Sequence, residues 1–214
     1  MSVAAEPDKP SKKDLKAEAM KRRICAAMVA CIDEVGYAEA SINRVQARAG
    51  VSRGALTHHF PTKQALVAET AMRLLQAALK PIKRRHNTAM PTRALLTESW
   101  RKIVNTPEGR AFIEIIVACR TDRALYDVLA DDLYSWNEDS ARSVRALYRG
   151  SDPAEDDAAL LWSICRTFIR GLVIHERFVS DPDYLARMMD RFAGIMSVHL
   201  TLHETTDERE AITR

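Results

Sequence analysis

Apolar residues between positions 14 and 77 recur every three or four residues and are interrupted at short intervals by glycine, serine and proline, a pattern that predicts four successive helices. The first is expected from about Asp14 to Val35, where Ile24, Ala27, Cys31 and Val35 repeat at the helical period and Gly36 supplies a stop. Ser41 then caps a short helix whose Ile42, Val45 and Ala49 share one face. Gly50 ends that helix, Val51 plugs the space behind the turn, and Ser52 caps a third helix with Leu56 and Phe60 four apart. Pro61 and Thr62 break the chain and restart it as a fourth helix that carries Leu66, Thr70, Leu74 and Ala77 toward Pro81.

Farther along, proline follows a capping residue at Thr106-Pro107, Asp152-Pro153 and Asp181-Pro182, each the start of a helix. The spans between these marks predict helices at about Pro91 to Val104, Pro107 to Cys119, Asp122 to Tyr148, Pro153 to Val179 and Pro182 to His203. That makes nine helices, with no strand signal. The expected fold is therefore all-α, with an N-terminal three-helix helix-turn-helix domain and a larger C-terminal helical domain. Residues 1–13 read as a basic arm, 14–62 as the helix-turn-helix domain, 63–203 as the second domain and 204–214 as a frayed tail.

If Leu56 and Phe60 pack on Val45 and Ala49, the third helix exposes Arg53, Gly54, Ala55, Thr57 and His58 along its leading edge. A helix presented in this way suits the DNA major groove, where each base pair shows a distinct set of donors and acceptors. Arg53 is the expected guanine contact. Gly54 and Ala55 let the backbone approach closely, the methyls of Ala55 and Thr57 match a thymine methyl, and His58 is a donor to a base or phosphate. Ser41, Arg44, Ser52, His59, Thr62 and Lys63 cluster near helix ends, where free amides, dipoles and cations favour phosphate contacts. A surface helical hairpin with solvated charges has the same pattern, so context must decide between them.

Charge agrees with the DNA reading. Residues 1–63 hold 11 Lys or Arg against 7 Asp or Glu, whereas the remainder holds 21 against 22, so the net positive charge lies where the motif is. The segment from Ala17 to Leu66 also resembles the DNA-binding signature of the TetR/AcrR family of bacterial transcriptional regulators. It matches at Ser41, Val45, Ala49-Gly50-Val51-Ser52, Gly54, Leu56, His59-Phe60, Lys63 and Leu66. Thr57 departs from the family, which usually carries an aromatic there to contact the DNA backbone, and Val45-Gln46 replaces the frequent Ile-Ala. The resemblance implies a dimeric regulator of double-stranded operator DNA, most often a repressor. In that family, movement of the fourth helix on binding a small-molecule effector changes the separation of the two reading heads.

In the C-terminal domain Trp100, Phe112, Ile116, Leu129, Leu133, Trp136, Leu161, Trp162 and Phe168 are apolar candidates to line an effector pocket. Arg120, Ser163, Arg166, Thr167 and His175 are candidate polar groups for it, although ordinary core packing explains each residue separately. The last two long helices carry the candidate homodimer surface, at Gly171, Phe178, Met188, Phe192, Ile195 and Met196. A symmetric dimer is expected because two recognition helices set one DNA turn apart, roughly 34–36 Å, read a palindrome better than one.

Two other functions compete. A nonspecific architectural DNA binder would gain nothing obvious from a large, nearly neutral second domain. A small helical enzyme would need a phosphate-cradling loop, a dinucleotide glycine fingerprint, a nucleophile elbow or a metalloprotease helix, and the sequence has none of these. His58 and His59 are adjacent and point about 100° apart on a helix, and no second ligand pair accompanies them. No catalytic residue, cofactor or metal is expected. Cys25, Cys31, Cys119 and Cys165 read as reduced, buried thiols, with redox sensing at Cys119 or Cys165 the lesser reading. No apolar run approaches the roughly 20 residues of a membrane span, so the chain is expected in the cytoplasm.

Overall fold

The computed structural model describes residues 11–84, 90–152, 156–181 and 183–203. Among these residues the helices are α1 (Lys12–Glu39), α2 (Ile42–Ala49), α3 (Arg53–His59), α4 (Lys63–Arg84), α5 (Thr92–Ser99), α6 (Pro107–Ala118), α7 (Arg123–Arg145), α8 (Asp157–His175) and α9 (Tyr184–His199). A π turn, Trp100–Val104, continues α5, and a 3-10 turn, Glu176–Phe178, continues α8.

Local chemistry sets the ends of these elements. Ser11 and Asp14 cap each other reciprocally: the Ser11 hydroxyl accepts from the Asp14 amide at 3.2 Å, and the Asp14 carboxylate accepts from the Ser11 amide at 3.0 Å. Residues 12–13, expected in the arm, are consequently helical, and residues 1–10 of that arm lie outside the described residues. Gly36, with φ 77°, interrupts α1 one residue past the expected end. Thr106 caps α6 with Pro107 at its first turn, and Asp122 caps α7. Pro153 and Pro182 lie outside the described residues, as does the tail expected at 204–214.

A short strand pair corrects the expectation of helix without strand. α7 stops at Arg145 and α9 at His199, and the following residues form a short antiparallel ladder, β1 (Tyr148–Arg149) with β2 (Thr201–Leu202), pairing Tyr148 with Leu202. Two residues per strand are too few to show an alternating pattern. The buried Tyr148 donates from its hydroxyl to the Met90 carbonyl at 2.6 Å, tying the ladder to the start of α5.

The interior divides into two apolar clusters that do not follow the expected boundary at residue 62. The first joins Ile24, Met28, Val45, Leu56, Phe60 and Leu66 of α1–α4 to Ala111, Ile115 and Ala118 of α6 and to Leu125 and Leu129 of α7. The second gathers Leu96, Trp100, Trp162, Ile169, Leu185, Met189 and Met196 from α5, the π turn, α8 and α9. The N-terminal head therefore shares its core with the body. α6 and α1 are also clamped by Arg110, whose guanidinium forks onto Asp33 at 2.6 and 3.1 Å.

Candidate nucleic-acid interface and buried cavity

The reading head is built by its caps. Ser41 accepts from the Arg44 amide at 3.3 Å, Ser52 from the Ala55 amide at 3.1 Å and Thr62 from the Ala65 amide at 3.0 Å, so α2, α3 and α4 all begin on hydroxyl caps. Gly50 sits at φ 59°, ψ 43°, the left-handed conformation that lets the chain turn between α2 and α3 without a side-chain clash. Val45, Ala49, Leu56 and Phe60 are buried together. That packing leaves Arg53, Gly54, Thr57 and His58 exposed and Ala55 half-buried, all on the 7-residue α3. The Thr57 hydroxyl turns back on its own helix, donating to the Arg53 carbonyl at 3.0 Å or the Gly54 carbonyl at 3.3 Å. Ser41, Arg44, Ser52 and Thr62 are exposed around α3, and His59 is half-buried beside His58 with the two rings edge-on at 5.2 Å.

Lys63 has a different environment from the other phosphate candidates. Its ammonium donates to the carbonyls of Tyr37 at 2.6 Å and Ala38 at 3.2 Å and lies 4.2 Å from the centre of the Tyr37 ring. Burial lowers its pKa. Two of its three donors are thus engaged in holding α4 to the end of α1. Arg23 acts similarly on α2, donating to the Ala49 and Gly50 carbonyls that the helix end leaves unpaired. Neither role is readable from helical spacing, because each partner lies about 25 residues away or farther.

A latch joins this corner to the body. The Tyr37 hydroxyl donates to Asp122 Oδ2 at 2.5 Å, Gln64 adds a bond at 3.3 Å, and the Leu125 amide donates to Asp122 Oδ1 at 2.9 Å. The Tyr37 hydrogen bond and then the Leu125 amide hold the Asp122 carboxyl below its ordinary pKa. A lowered carboxyl pKa stabilises the fold above the unfolded value, near 4, and that contribution is lost as the pH falls through the folded value. Tyr37→Phe is accordingly expected to lower stability by about 1 kcal/mol at neutral pH. Thermal melts at stepped pH check it: the difference from wild type should shrink below pH about 4, and a constant difference would mean that the bond to ionised Asp122 is not its source.

Behind the head, a cavity of about 280 Å³ opens between α4, the π turn, α6, α7 and α8. Leu74 and Ala77 come from α4, Ile103 and Val104 from the π turn, Phe112 and Ile113 from α6, Trp136 from α7, and Trp162, Arg166 and Arg170 from α8. Gly109 permits the close approach of α6 to the π turn, since a Cβ there would collide with the Ile103 and Val104 carbonyl oxygens. The Trp162 indole donates to Ser140 at 2.9 Å. Trp136 Nε1 and Arg166 Nε are buried without a hydrogen-bond partner. The other Arg166 nitrogens donate to Asn137 at 2.9 Å and Ser163 at 3.3 Å, and burial, with the like charge of Arg170, pulls the guanidinium down to about 10. Burial also lowers Arg170.

Four of the six expected pocket residues, Phe112, Trp136, Trp162 and Arg166, line this cavity. Trp100 does not; it is 6% exposed and packed in the second core cluster, and the half-buried Ile116 also lies off the cavity. Among the other polar candidates, Arg120, Thr167 and His175 are exposed on the surface.

The outer faces of α8 and α9 remain apolar. On α8 and the 3-10 turn that continues it, Leu160, Ile164, Gly171, Ile174 and Phe178 are exposed, Phe178 at 79%, and a Cβ at Gly171 would meet nothing within 4 Å. On α9, Tyr184, Ile195 and Val198 are exposed and Met188 is half-buried. Two residues expected on this face belong partly or wholly to the interior. Met196 is buried in the second core cluster, and the half-buried Phe192 stacks on Phe168 with ring centres 3.8 Å apart. Because its inner and outer faces are both apolar, α8 with its 3-10 turn is, by length and composition, long and apolar enough to cross a membrane. Its inner face, including Trp162, Cys165, Ile169 and Leu172, is core.

Residues 24–70 match the family model for bacterial regulatory proteins of the tetR family. The head thus carries the helix-turn-helix of tetR-type regulators. An HTH-type transcriptional regulator of Mycobacterium tuberculosis is 26% identical over 181 residues, 83% of this chain and 93% of the relative. A transcriptional regulator from Rhodococcus superposes with a TM-score of 0.63 at 22% identity, covering 82% of this chain and 95% of that one. A transcriptional regulator from Saccharomonospora viridis, solved in complex with choline, superposes with a TM-score of 0.64 at 18% identity, covering 87% of this chain and 100% of that one. At those identities the structural matches establish the fold.

The matched residues run from the middle of α1 into α4, and they include the caps, the Gly50 turn and the whole of α3. With this head the protein is a DNA-binding transcriptional regulator of the helix-turn-helix type. Cys25 and Cys31 of α1 pack in the head's own core, and the half-buried Cys119 packs against the same cluster. Cys25, Cys31 and Cys165 are buried free thiols, and burial raises the pKa of each, that of Cys165 to about 12, which keeps them protonated and poorly nucleophilic.

Proposed function

We propose that the protein is a homodimeric repressor that holds a palindromic operator with two α3 helices and releases it when a small molecule fills the cavity. The placement of α6 carries this reading. One face of that helix, at Ala111, Ile115 and Ala118, is part of the head's own core, while Phe112 and Ile113 form cavity wall. Between them, Arg110 grips Asp33 of α1. α4 likewise contributes Leu66 to the head core and Leu74 and Ala77 to the cavity. An occupant of the cavity therefore bears on two helices that also position α3. To release DNA it must bind the arrangement with misplaced heads better than the arrangement that fits the operator, since only differential affinity shifts the equilibrium. The outer face of α8 and α9 supplies the dimer seam, and work on chromosomal DNA puts the protein in the bacterial cytoplasm.

Within the head, Arg53 reads a base and Arg44 steadies the backbone, with Gly54, Ala55, Thr57 and His58 completing the groove-facing edge. Mobility shifts with DNA from upstream of the protein's own gene test this division. Arg53→Ala should lose about 1–3 kcal/mol of binding and relax preference at one base pair. Arg44→Ala should weaken every sequence alike and flatten the dependence on salt. Indistinguishable losses from the two substitutions would remove the assigned roles. Equal affinity of the unaltered protein for every duplex would instead favour an architectural binder.

A further inference from the structure

We infer that the effector is a small organic carboxylate, its anionic head held by Arg166 and Arg170 and its apolar body lying among Trp136, Trp162 and Phe112. The inference rests on the cavity being the effector site and adds the chemical class of the occupant.

The charge of the site is one-sided. Arg166 and Arg170 stand one turn apart on α8, both line the cavity, and among the described residues no carboxylate pairs with either. The other half-buried arginines among the described residues, Arg73 and Arg110, each lie on an Asp or Glu. Two neighbouring guanidiniums withdrawn from water without a counterion are unfavourable, and an anion placed between them relieves both the desolvation and their mutual repulsion. The other charged lining groups, Lys102 and Glu108, are exposed at the mouth, with Lys102 paired to Glu98 at 3.1 Å, so they do not reverse this sign.

The unmet hydrogen bonds have the same polarity. Trp136 Nε1 and Arg166 Nε are donors only, so the missing partner is an acceptor. A carboxylate offers two oxygens to satisfy them, in the planar geometry that guanidinium recognises. Apart from that corner the wall is aromatic and aliphatic, and its volume of about 280 Å³ is at the small end of ligand sites. It suits a compact acid with a ring or a short chain.

The same geometry disfavours a cation. A quaternary ammonium is held by the open faces of aromatic rings. Here the Trp136 ring already faces the Arg166 guanidinium at 5.0 Å and that of Arg170 at 5.9 Å. Choline, the ligand of the Saccharomonospora protein, would meet two positive charges in this cavity.

Titration of the full-length protein with benzoate, octanoate, benzamide, octanamide, benzenesulfonate and choline, followed by tryptophan fluorescence, tests the inference. At least one carboxylate should bind about tenfold or more tightly than its matched amide, and choline should not bind. Benzenesulfonate distinguishes a carboxylate site from a general anion site: sulfonate binding as tight as that of the best acid overturns the carboxylate assignment. Arg166→Gln and Arg170→Gln should each erase the acid-over-amide preference while leaving the amide affinity in place. Should either variant fail to fold, the acid, amide and choline comparison on the unaltered protein still decides. Amides or choline binding as well as the acids, or no acid binding at millimolar concentration, overturns the inference. Release of a labelled duplex, measured in the same titrations, separates the two levels of the reading. Choline-driven release would leave the regulator intact and remove the anion site. Carboxylate binding by a protein that ignores all DNA would do the reverse.

Discussion

Ile174→Glu is expected to separate the dimer and to lower operator affinity by about a hundredfold or more. The outward residues of α8 and its 3-10 turn, Leu160, Ile164, Thr167, Gly171, Ile174 and Phe178, follow one another at alternating steps of four and three. On α9, Tyr184, Met188, Arg191, Ile195 and Val198 do the same. Such steps keep a single seam in register along a helix and suit the shallow crossing of a four-helix interface. Ile174 is 59% exposed within the protomer, and the open space over Gly171 lets a facing helix come close. A glutamate in the middle of the seam would be buried without a partner, which disfavours association by several kcal/mol. The isolated protomer should tolerate the same change, because Ile174 belongs to neither core cluster. Sedimentation at micromolar concentration should show a folded monomer, and its melting temperature should no longer depend on protein concentration. Each monomer would reach only one half-site, so the gain from joining two binding events is lost. An Ile174→Glu variant that remains dimeric with full operator affinity would place the dimer contact on another face.

The parts of the molecule legible in sequence are those with local causes. Ser41, Ser52 and Thr62 each act on an amide three residues ahead, and Gly50 acts on its own backbone, so the head's caps and turn stand in the spacing alone. The cavity is less readable because a π turn lies in its wall. At Trp100–Val104 the chain leaves the regular helical period, which carries Trp100 into the second core and turns Ile103 and Val104 toward the cavity. Arg170 has no apolar pattern to mark it, and its site is recognisable only once Trp136 of another helix is seen beside it. The proposed dimer seam shows a related limit: where two apolar stripes share a helix, spacing finds both but not which faces inward, and so Met196 lies in the core while Ile195 stays outside. The shared core of head and body is also hidden, since α6 meets α1 some 77 residues earlier in the chain.

That shared core gives the second large effect. Leu56→Ala is expected to destabilise the protein by about 2–5 kcal/mol, the range for emptying a well-packed leucine site. Leu56 is 0% exposed, at the centre of the short α3, and belongs to the cluster that continues through Leu66 to Ala111, Ile115 and Leu125. With only 7 residues, α3 cannot hold its helix by propensity and depends on this anchor and on the Ser52 cap. The void would therefore loosen the reading edge first, and Arg53 and His58 would lose their fixed direction. Because the head has no separate core, the loss should appear as a fall of roughly 4–20 °C in the melting of the whole chain. An early transition confined to the head, with the body melting at its original temperature, would show that the cluster joining α3 to α6 and α7 does not act cooperatively. Operator binding provides the second measurement. At temperatures where the variant stays folded, its affinity should fall for all sequences while any carboxylate bound in the cavity keeps its affinity, since Leu56 does not line that site. Loss of both together below the melting point would mean that the damage had spread through α6 to the cavity wall.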